Sequence, residues 1–210
     1  MQIDEKVSFI KKWLGTGSIN IFGLPYAGKD THGGYLAGLL DASLLGGGDI
    51  LRNSKIPSHV QKIIDSGGLA PTEDYVRIVL PYLSDGKFKD RPLVLSSVGR
   101  WHGEEDGVIA AAEQSGHPLK AVIYLHITIQ TANERFKKSK QNGDRGNRAD
   151  DDHDKLIVRF SEFAEKTLPV IDYYRQKQIL LDIDGNPPVD EVRKVIVDQL
   201  YELALQSRSE

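Results

Sequence analysis

The stretch GLPYAGKDT, residues Gly23–Thr31, decides the fold of this chain. It follows a short apolar segment, Ile19–Phe22, and opens a segment, Lys29–Leu40, that can form a helix. A strand, a Gly-x4-Gly-Lys loop and a helix in this order are typical of a phosphate-binding loop. Backbone N–H groups and the helix N-terminus surround the anion, and the lysine adds a full positive charge. We therefore predict that a nucleoside triphosphate binds here; the alternative is a glycine-rich turn without a ligand. The residues expected to contact the triphosphate are Gly23, Pro25, Tyr26, Ala27, Gly28, Lys29, Asp30 and Thr31.

Composition limits the class of protein. A chain of 210 residues suits one compact domain, and 40% hydrophobic with 27% charged residues is ordinary for a globular protein. The net charge of −3 gives no basic field that would recruit nucleic acid. The absence of cysteine excludes disulfides and cysteine-ligated zinc. With no apolar signal-peptide run and no stretch near the ~20 apolar residues of a membrane span, we expect a cytoplasmic protein.

Strand and helix patterns alternate along the chain. This alternation predicts an α/β fold with a five-stranded parallel sheet and helices on both faces. The expected strands are 19–23, 42–45, 92–96, 120–126 and 178–183. The expected helices are 29–40, 58–66, 72–84, 104–115, 130–138, 152–176 and 188–205, after an N-terminal amphipathic helix at 3–14. That first helix is expected to dock on the core; its alternative is a partner-binding or membrane-surface helix.

Two segments interrupt the alternation. Residues 46–73 are glycine-rich, then helical, and then turn-like at 67–68. Residues 139–151 are polar and contain two glycines. The second segment is either a disordered surface loop or a mobile lid whose arginines close over phosphates. The residues alone favour neither.

Together these features resemble the adenylate kinase family, over about residues 19–203. Beyond the phosphate loop, five motifs carry the resemblance: GGDILR at Gly47–Arg52, GGLAPTE at Gly67–Glu73, SSVGR at Ser96–Arg100, NRADD at Asn147–Asp151, and Arg159 with the segment Phe163–Tyr174. The resemblance implies a P-loop core (1–45, 74–138 and 150–210), an acceptor-binding insertion (46–73) and a short lid without zinc (139–149). It also implies a Mg²⁺-dependent, monomeric kinase that transfers phosphate from ATP to a nucleoside monophosphate, with AMP first among the acceptors.

The resemblance gives roles to basic residues scattered along the chain. Lys29 would bridge the donor phosphates, Arg135 would lie near the donor nucleotide, and Arg100 would hold the acceptor phosphate. Guanidinium groups match phosphate oxygens in pairs and stay charged. The implied catalytic set is Lys29, Arg100, Arg148 and Arg159. The implied acceptor-binding set is Gly47, Asp49, Arg52, Ala70, Arg100, Glu104, Arg148 and Arg159.

Three departures from the family pattern bear on chemistry. Ser96 stands where the family has an aspartate that holds waters around magnesium, and Tyr26 replaces a loop glycine. Asp30 directly follows the loop lysine, so we hypothesise that it has taken over part of the magnesium-holding task; the alternatives are that it is an unfavourable charge near the phosphates or only caps the helix. These changes keep a second hypothesis open, a nucleotide-binding homologue with weak or no turnover. An unrelated P-loop ATPase or small-molecule kinase is a third.

The acceptor base is also open. Glu104 aligns with a glutamine that reads adenine, and Gly47 replaces a threonine. An ionised carboxylate only accepts hydrogen bonds. It can accept from the amino group of adenine or cytosine, or from the N1–H and N2–H₂ edge of guanine.

Overall fold

A computed structural model describes residues 2–142 and 152–207, and the side chains of all of these except Arg52 and Asn53. The described residues form one sheet of five parallel strands in the order β2-β3-β1-β4-β5. The strands are β1 Ser18–Gly23, β2 Ser43–Gly46, β3 Leu93–Ser96, β4 Leu119–His126 and β5 Leu180–Asp184. The prediction of an α/β fold with a five-stranded parallel sheet is therefore confirmed.

Helices cover the sheet and follow each strand. They are α1 Ile3–Leu14, α2 Lys29–Leu40, α3 Gly47–Asn53, α4 Ser58–Asp65, α5 Thr72–Val79, α6 Glu105–Gln114, α7 Ile129–Asn142, α8 His153–Glu162, α9 Leu168–Gln176 and α10 Val189–Gln206. Short 3₁₀ turns at Leu80–Ser84 and Gly86–Phe88 follow α5.

Four stretches differ from the predicted elements. The helix expected at 72–84 ends at Val79, where Pro81 lacks the N–H that an α-helix needs. The helix expected at 152–176 is interrupted by a π-helical turn at Phe163–Thr167. The glycine-rich start of the insertion is helical, as α3. Helix α7 continues through 139–142, which the sequence assigned to the lid.

The main core lies on both faces of the central strand. Every residue of β1 is buried, which suits a strand flanked by β3 and β4. The N-terminal helix packs here as expected, because Val7, Ile10 and Leu14 are buried in this core. The Phe9 ring also lies edge-on against Tyr201 of α10, with ring centroids 5.3 Å apart.

A second, smaller core connects the insertion with the sheet edge. Ile50 and Leu51 of α3 and Val60 of α4 share this cluster with Leu95 of β3. The insertion also reaches α8, since the Leu69 backbone N–H donates to a Glu162 carboxylate oxygen at 3.2 Å. Residues 46–73 are therefore packed against the sheet, and their assignment as an acceptor-binding unit remains a prediction.

The topology places several loops at one end of the sheet. Parallel strands point their carboxyl ends the same way, so the loops after β1, β3 and β5 meet at one edge, where ligands bind in open α/β sheets. No helix in the described ranges has the length and apolar character that a membrane span requires.

Candidate active site

The phosphate loop joins β1 to α2 and has a tightly specified backbone. Gly28 has a φ of 94°, a left-handed conformation that glycine adopts readily. Gly23 is needed for space, because a Cβ there would lie 2.6 Å from the Leu125 carbonyl oxygen. The Lys29 ammonium donates to the carbonyl oxygens of Gly23 (2.8 Å) and Leu24 (2.9 Å). Two carbonyl oxygens of the loop thus fix the position of the lysine ammonium group.

Tyr26 occupies a loop position with a φ of 66°, which is left-handed and strained for a residue with a side chain. Its ring meets Phe136 of α7 edge-on, with centroids 5.5 Å apart. This contact offsets backbone strain of about 1–2 kcal/mol. The Tyr26 side chain therefore forms a wall between two cavities, where a glycine would leave the turn open.

Arg135 ties the phosphate loop to the loop after β5. Its guanidinium donates to the Tyr26 carbonyl oxygen at 3.3 Å and to the Gly185 carbonyl oxygen at 2.7 Å. The sequence predicted Arg135 near the donor nucleotide, and the structure places it beside the phosphate loop. There it fixes two loops that border the same space.

Three cavities lie in a row along this edge of the sheet. The central one, of about 580 Å³, is lined by Lys29, Asp30, Arg100 and Arg159 among others. A cavity of about 490 Å³ shares Tyr26, Gly28 and Thr31 with it and adds His32, Arg135 and the loop 185–189. A narrow cavity of about 90 Å³ shares Gly48, Ser97, Arg100 and Arg159 with the central one and extends into the insertion. The shared lining makes the three spaces contiguous.

Cationic groups converge on the central cavity. Burial and the neighbouring Arg159 guanidinium lower the pKa of Arg100 to about 10, so Arg100 stays protonated at neutral pH. The two guanidinium groups repel each other, and the Glu162 and Glu104 carboxyls partly offset this repulsion. Together with Lys29, the two guanidinium groups make the cavity a suitable site for phosphate groups.

The loop that carries Arg100 is fixed by its neighbours. The Asn20 amide, buried in β1, donates to the Val98 carbonyl oxygen (2.7 Å) and accepts from the Val98 N–H (3.3 Å). The Gly99 N–H donates to the Tyr75 hydroxyl at 2.9 Å. The Thr167 hydroxyl donates to the Arg100 carbonyl oxygen at 3.1 Å. These bonds from three elements orient Arg100 before any ligand binds.

The narrow cavity is lined by aromatic side chains, glycines and charged groups, among them Tyr75, Trp101 and Glu104. Tyr75 fills the space where a larger residue 47 would project, since a Cβ on Gly47 would lie 2.7 Å from the Tyr75 hydroxyl. Glu104 is buried in the wall, and one of its oxygens accepts from the Trp101 N–H at 3.2 Å. Its other oxygen and the Trp101 indole N–H are buried and form no hydrogen bond with any described residue. Glu104 and Trp101 thus place an acceptor and a donor in the wall of this cavity.

The ionisation of Glu104 depends on its surroundings. Burial raises the pKa of this carboxyl, while the Trp101 N–H and the nearby Thr72 hydroxyl favour the ionised form and oppose that rise. A neutral carboxyl offers one donor and one acceptor, whereas an ionised one offers only acceptors.

Oxygen ligands suitable for Mg²⁺ line the central cavity. The Ser96 hydroxyl donates to the Asp30 carboxylate at 3.3 Å, and Asp49 lies on the same wall. Within residues 2–142 and 152–207, no three His, Asp or Glu side chains group so as to hold a metal ion by themselves. Mg²⁺ in nucleotide sites uses one or two carboxylates together with phosphate oxygens and waters, which this donor set fits.

The structure brings most of the predicted site residues together. Those lining the central cavity are Pro25, Tyr26, Gly28, Lys29, Asp30, Thr31, Asp49, Arg100 and Arg159. Ala70 and Glu104 line the narrow cavity, and Gly23 and Ala27 are buried residues of the phosphate loop itself. The Arg52 side chain, Arg148 and lid residues 143–149 lie outside the described part of the chain. The roles assigned to all of these residues remain predictions.

Sequence reasoning missed several lining residues. The loop 185–189 and His32 border the cavity next to Arg135, and Tyr75 and Trp101 shape the narrow one. The run GNPPV directly after the last strand was a usable signal, because that strand ends at the same edge as the phosphate loop. Tyr75 and Trp101 had no comparable local signal.

Known proteins similar to this chain are adenylate kinases. No family model matches the chain. The adenylate kinase of Cyanothece sp. is 28% identical over 188 residues, covering 86% of this chain and 94% of its own. The adenylate kinase of Deinococcus deserti is 29% identical over 180 residues (81% and 89%), and that of Caldanaerobacter subterraneus 28% over 201 residues (82% and 90%).

The fold and the cationic cleft at its phosphate loop define a class of protein, the P-loop phosphotransferases. Within that class, the chain is similar to adenylate kinases over most of its length.

Proposed function

We propose that this chain catalyses the reversible transfer of the terminal phosphoryl group of ATP to AMP, giving two ADP. One observation carries the proposal: Lys29, Arg100 and Arg159 line a single cavity that has a further cavity on each side. Two nucleotides can lie in this row with their phosphates meeting in the middle. The wider outer cavity beside Arg135 would take the donor base, and the narrow one beside Glu104 the acceptor base.

In the reaction, an oxygen of the acceptor phosphate bonds to the γ-phosphorus of ATP, and the bond from that phosphorus to the β–γ bridging oxygen breaks. Catalysis of this step depends on alignment and on neutralising charge, with little covalent help from the protein. Lys29 would hold the β- and γ-phosphates, Arg100 the acceptor phosphate, and Arg159 the group in transit. Arg52 and Arg148 are expected to join them.

Mg²⁺ bound with ATP would neutralise phosphate charge, and Asp30 with Ser96 would hold it. The packed insertion and the lid would exclude water, which otherwise accepts the phosphoryl group. We also propose that the protein is cytoplasmic and that it is a monomer. Sedimentation velocity would test the oligomeric state.

A specific observation favours a second acceptor, GMP. Glu104 leaves one buried oxygen without a hydrogen bond, and Gly47 supplies no hydroxyl. Neutral Glu104 would match the N1 acceptor and amino donor of adenine, as a glutamine amide does. Ionised Glu104 would match the two donors on guanine.

An acceptor panel tests the proposal. The purified chain is assayed with ATP, Mg²⁺ and each of AMP, GMP, CMP, UMP and dTMP, and ADP formation is measured. We expect the highest kcat/KM with AMP. A higher kcat/KM with GMP would show that GMP, and not AMP, is the preferred acceptor. Nucleotide binding without product from any acceptor would show that the chain is a nucleotide-binding protein without turnover.

A further inference from the structure

Glu162 joins the insertion to the core of the chain. It is the last residue of α8, and one of its carboxylate oxygens accepts from the Leu69 N–H at 3.2 Å. Leu69 and its neighbour Ala70 line the narrow cavity. The same turn lies directly on α8, because a Cβ on Gly67 would lie 2.8 Å from the Lys155 carbonyl oxygen. The bond to Glu162 therefore helps to set the position of one wall of that cavity.

Lys166 holds the same carboxylate from the π-helical turn. Its ammonium donates to the two Glu162 oxygens at 2.6 and 2.7 Å. The ammonium also lies 4.0 Å from the centroid of the Trp101 ring, and Trp101 lines the narrow cavity as well. These contacts link two walls of one cavity through a single ion pair. We call the four residues Leu69, Trp101, Glu162 and Lys166 the clasp.

An ordinary ion pair on a helix surface is the first competing explanation. A solvent-exposed Glu–Lys pair one turn apart contributes little to stability. The side chains of Glu162 and Lys166 are only 17% and 25% exposed. The Glu162 carboxylate also accepts from a backbone N–H that is 93 residues away in sequence. The pair therefore connects distant segments as well as neighbouring turns.

A counter-ion for Arg100 is the second competing explanation. Burial and the Arg159 guanidinium lower the pKa of Arg100, and the Glu162 carboxylate partly offsets this lowering. A carboxylate that only balanced Arg100 would compete with an acceptor phosphate for that guanidinium, so its removal would strengthen acceptor binding. A carboxylate that holds the cavity wall would have the opposite effect. The direction of the change in acceptor affinity separates the two roles.

We propose that Glu162 and Lys166 are positioning residues for the acceptor nucleotide, because they hold the Leu69 turn and Trp101 in place around the narrow cavity. The proposal rests on the proposed function, which assigns that cavity to the acceptor base. Lys166 keeps the Glu162 carboxylate directed at Leu69 and away from Arg100. Both residues lie outside the lining of the two larger cavities, so donor binding should not depend on them.

Steady-state kinetics of the full chain test the direction of the effect. Glu162→Ala removes both contacts and should raise the KM for AMP by about 10–30-fold, with the KM for ATP within about twofold of the parent. Glu162→Gln keeps an oxygen that can accept from Leu69, so its KM for AMP should rise by only about 2–5-fold. Lys166→Met removes the charge and keeps an unbranched side chain beside Trp101; it should raise the KM for AMP by about 3–10-fold.

Glu165 offers a matched control. It lies in the same π-helical turn, is exposed, and accepts from the Ser161 hydroxyl at 2.8 Å. Glu165→Ala removes the same charge without touching the clasp, so its KM for AMP should stay within about twofold of the parent. An unchanged KM for AMP in Glu162→Ala would overturn the proposal. A lowered KM would also overturn it, and would identify Glu162 as a counter-ion for Arg100.

Amide hydrogen exchange tests the clasp without turnover. Exchange of the Leu69 N–H is measured by NMR in the parent, in Glu162→Ala and in Glu165→Ala. We expect at least about tenfold faster exchange of this amide in Glu162→Ala alone, with the amides of α10 exchanging as in the parent. Equal exchange of the Leu69 N–H in all three would show that Glu162 does not hold this turn.

The outcomes also distinguish this proposal from the proposed function. If the parent phosphorylates an acceptor while Glu162→Ala changes neither the KM for AMP nor the Leu69 exchange rate, only the clasp is overturned. If the parent phosphorylates no acceptor, the proposed function is wrong. The AMP affinities of the same variants, measured by calorimetry, then replace the KM values and decide the clasp in the same way.

Discussion

Gly99 shows how one residue positions a catalytic candidate. It precedes Arg100, has a φ of 71°, and a Cβ there would lie 2.5 Å from a Val108 methyl group of α6. Real Cβ atoms do not approach this closely. Both the backbone angle and the space therefore require glycine, and the turn it makes directs Arg100 into the cavity.

Gly99→Ala should destabilise the chain and weaken acceptor binding. Gly116→Ala is the matched control, since Gly116 has a φ of 81° and no atom within 4 Å of its Cβ position. We expect Gly99→Ala to lower the free energy of unfolding in urea by about 1–3 kcal/mol more than the control, because overpacking adds to the backbone strain. Equal losses in the two variants would show that the contact with Val108 is unimportant.

Glu104 makes acceptor binding depend on pH. Its raised pKa means that the carboxyl is neutral below that pKa and ionised above it. The KM for AMP should therefore rise as pH increases through the pKa, while the KM for GMP should fall. Glu104→Gln, which cannot ionise, should remove both trends. A variant whose KM for AMP follows the same pH profile as the parent would contradict this assignment.

His32 should make stability depend on pH. Burial, together with the nearby Arg193 and Arg135 guanidinium groups, lowers its pKa to about 4, so the folded chain holds this ring neutral. Between its ordinary pKa of about 6.5 and about 4, the unfolded chain binds the extra proton, and stability falls as pH falls. From pH 8 to pH 5 the parent should lose about 2 kcal/mol more unfolding free energy than His32→Gln. Equal losses of unfolding free energy in the parent and in His32→Gln, measured by urea denaturation, would contradict the lowered pKa of His32.

At the scale of elements, the π-helical turn between α8 and α9 serves the site. It ends at Thr167, which is buried and donates to the Arg100 carbonyl oxygen. π-turns inside helices are frequent at functional sites. The turn thus lets one helical segment reach the loop after β3, while α8 presents Arg159 to the same cavity.

Removing the Thr167 hydroxyl should loosen Arg100. Thr167→Val keeps the shape but leaves the carbonyl oxygen without this bond, which should cost about 1–3 kcal/mol of stability. The KM for the acceptor should rise more than kcat falls, because we propose that Arg100 holds the acceptor phosphate. Thr167→Ser, which keeps the hydroxyl, should restore most of the affinity. If Ser and Val behave alike in steady-state kinetics, the hydrogen bond does not position Arg100.

Elements with local signals could be predicted from sequence. The sheet, the phosphate loop and the N-terminal helix follow from apolar periodicity and glycine spacing. Helix α3 was missed because two glycines at its start favour a turn, and packing of Ile50 and Leu51 against the sheet overrides that preference. Tyr75, Trp101 and Glu104 line one pocket because segments that are distant in sequence pack together. No local sequence pattern predicts such contacts.

At the scale of the whole molecule, three contiguous cavities organise the chain. Lys29 comes from the loop after β1, Arg100 from the loop after β3, and Arg159 from α8. The insertion closes one end of the row, and the loop after β5 closes the other. This arrangement suits two nucleotides joined through their phosphates better than one nucleotide alone.

Binding of a two-substrate analogue tests this arrangement most directly. The analogue joins two adenosines through five phosphates, and isothermal titration calorimetry gives its affinity and stoichiometry. We expect one molecule per chain, bound at least about 100-fold more tightly than ATP, with that advantage lost in Arg100→Ala. An analogue that binds no more tightly than ATP, or two molecules per chain, would contradict a single cleft for two facing nucleotides.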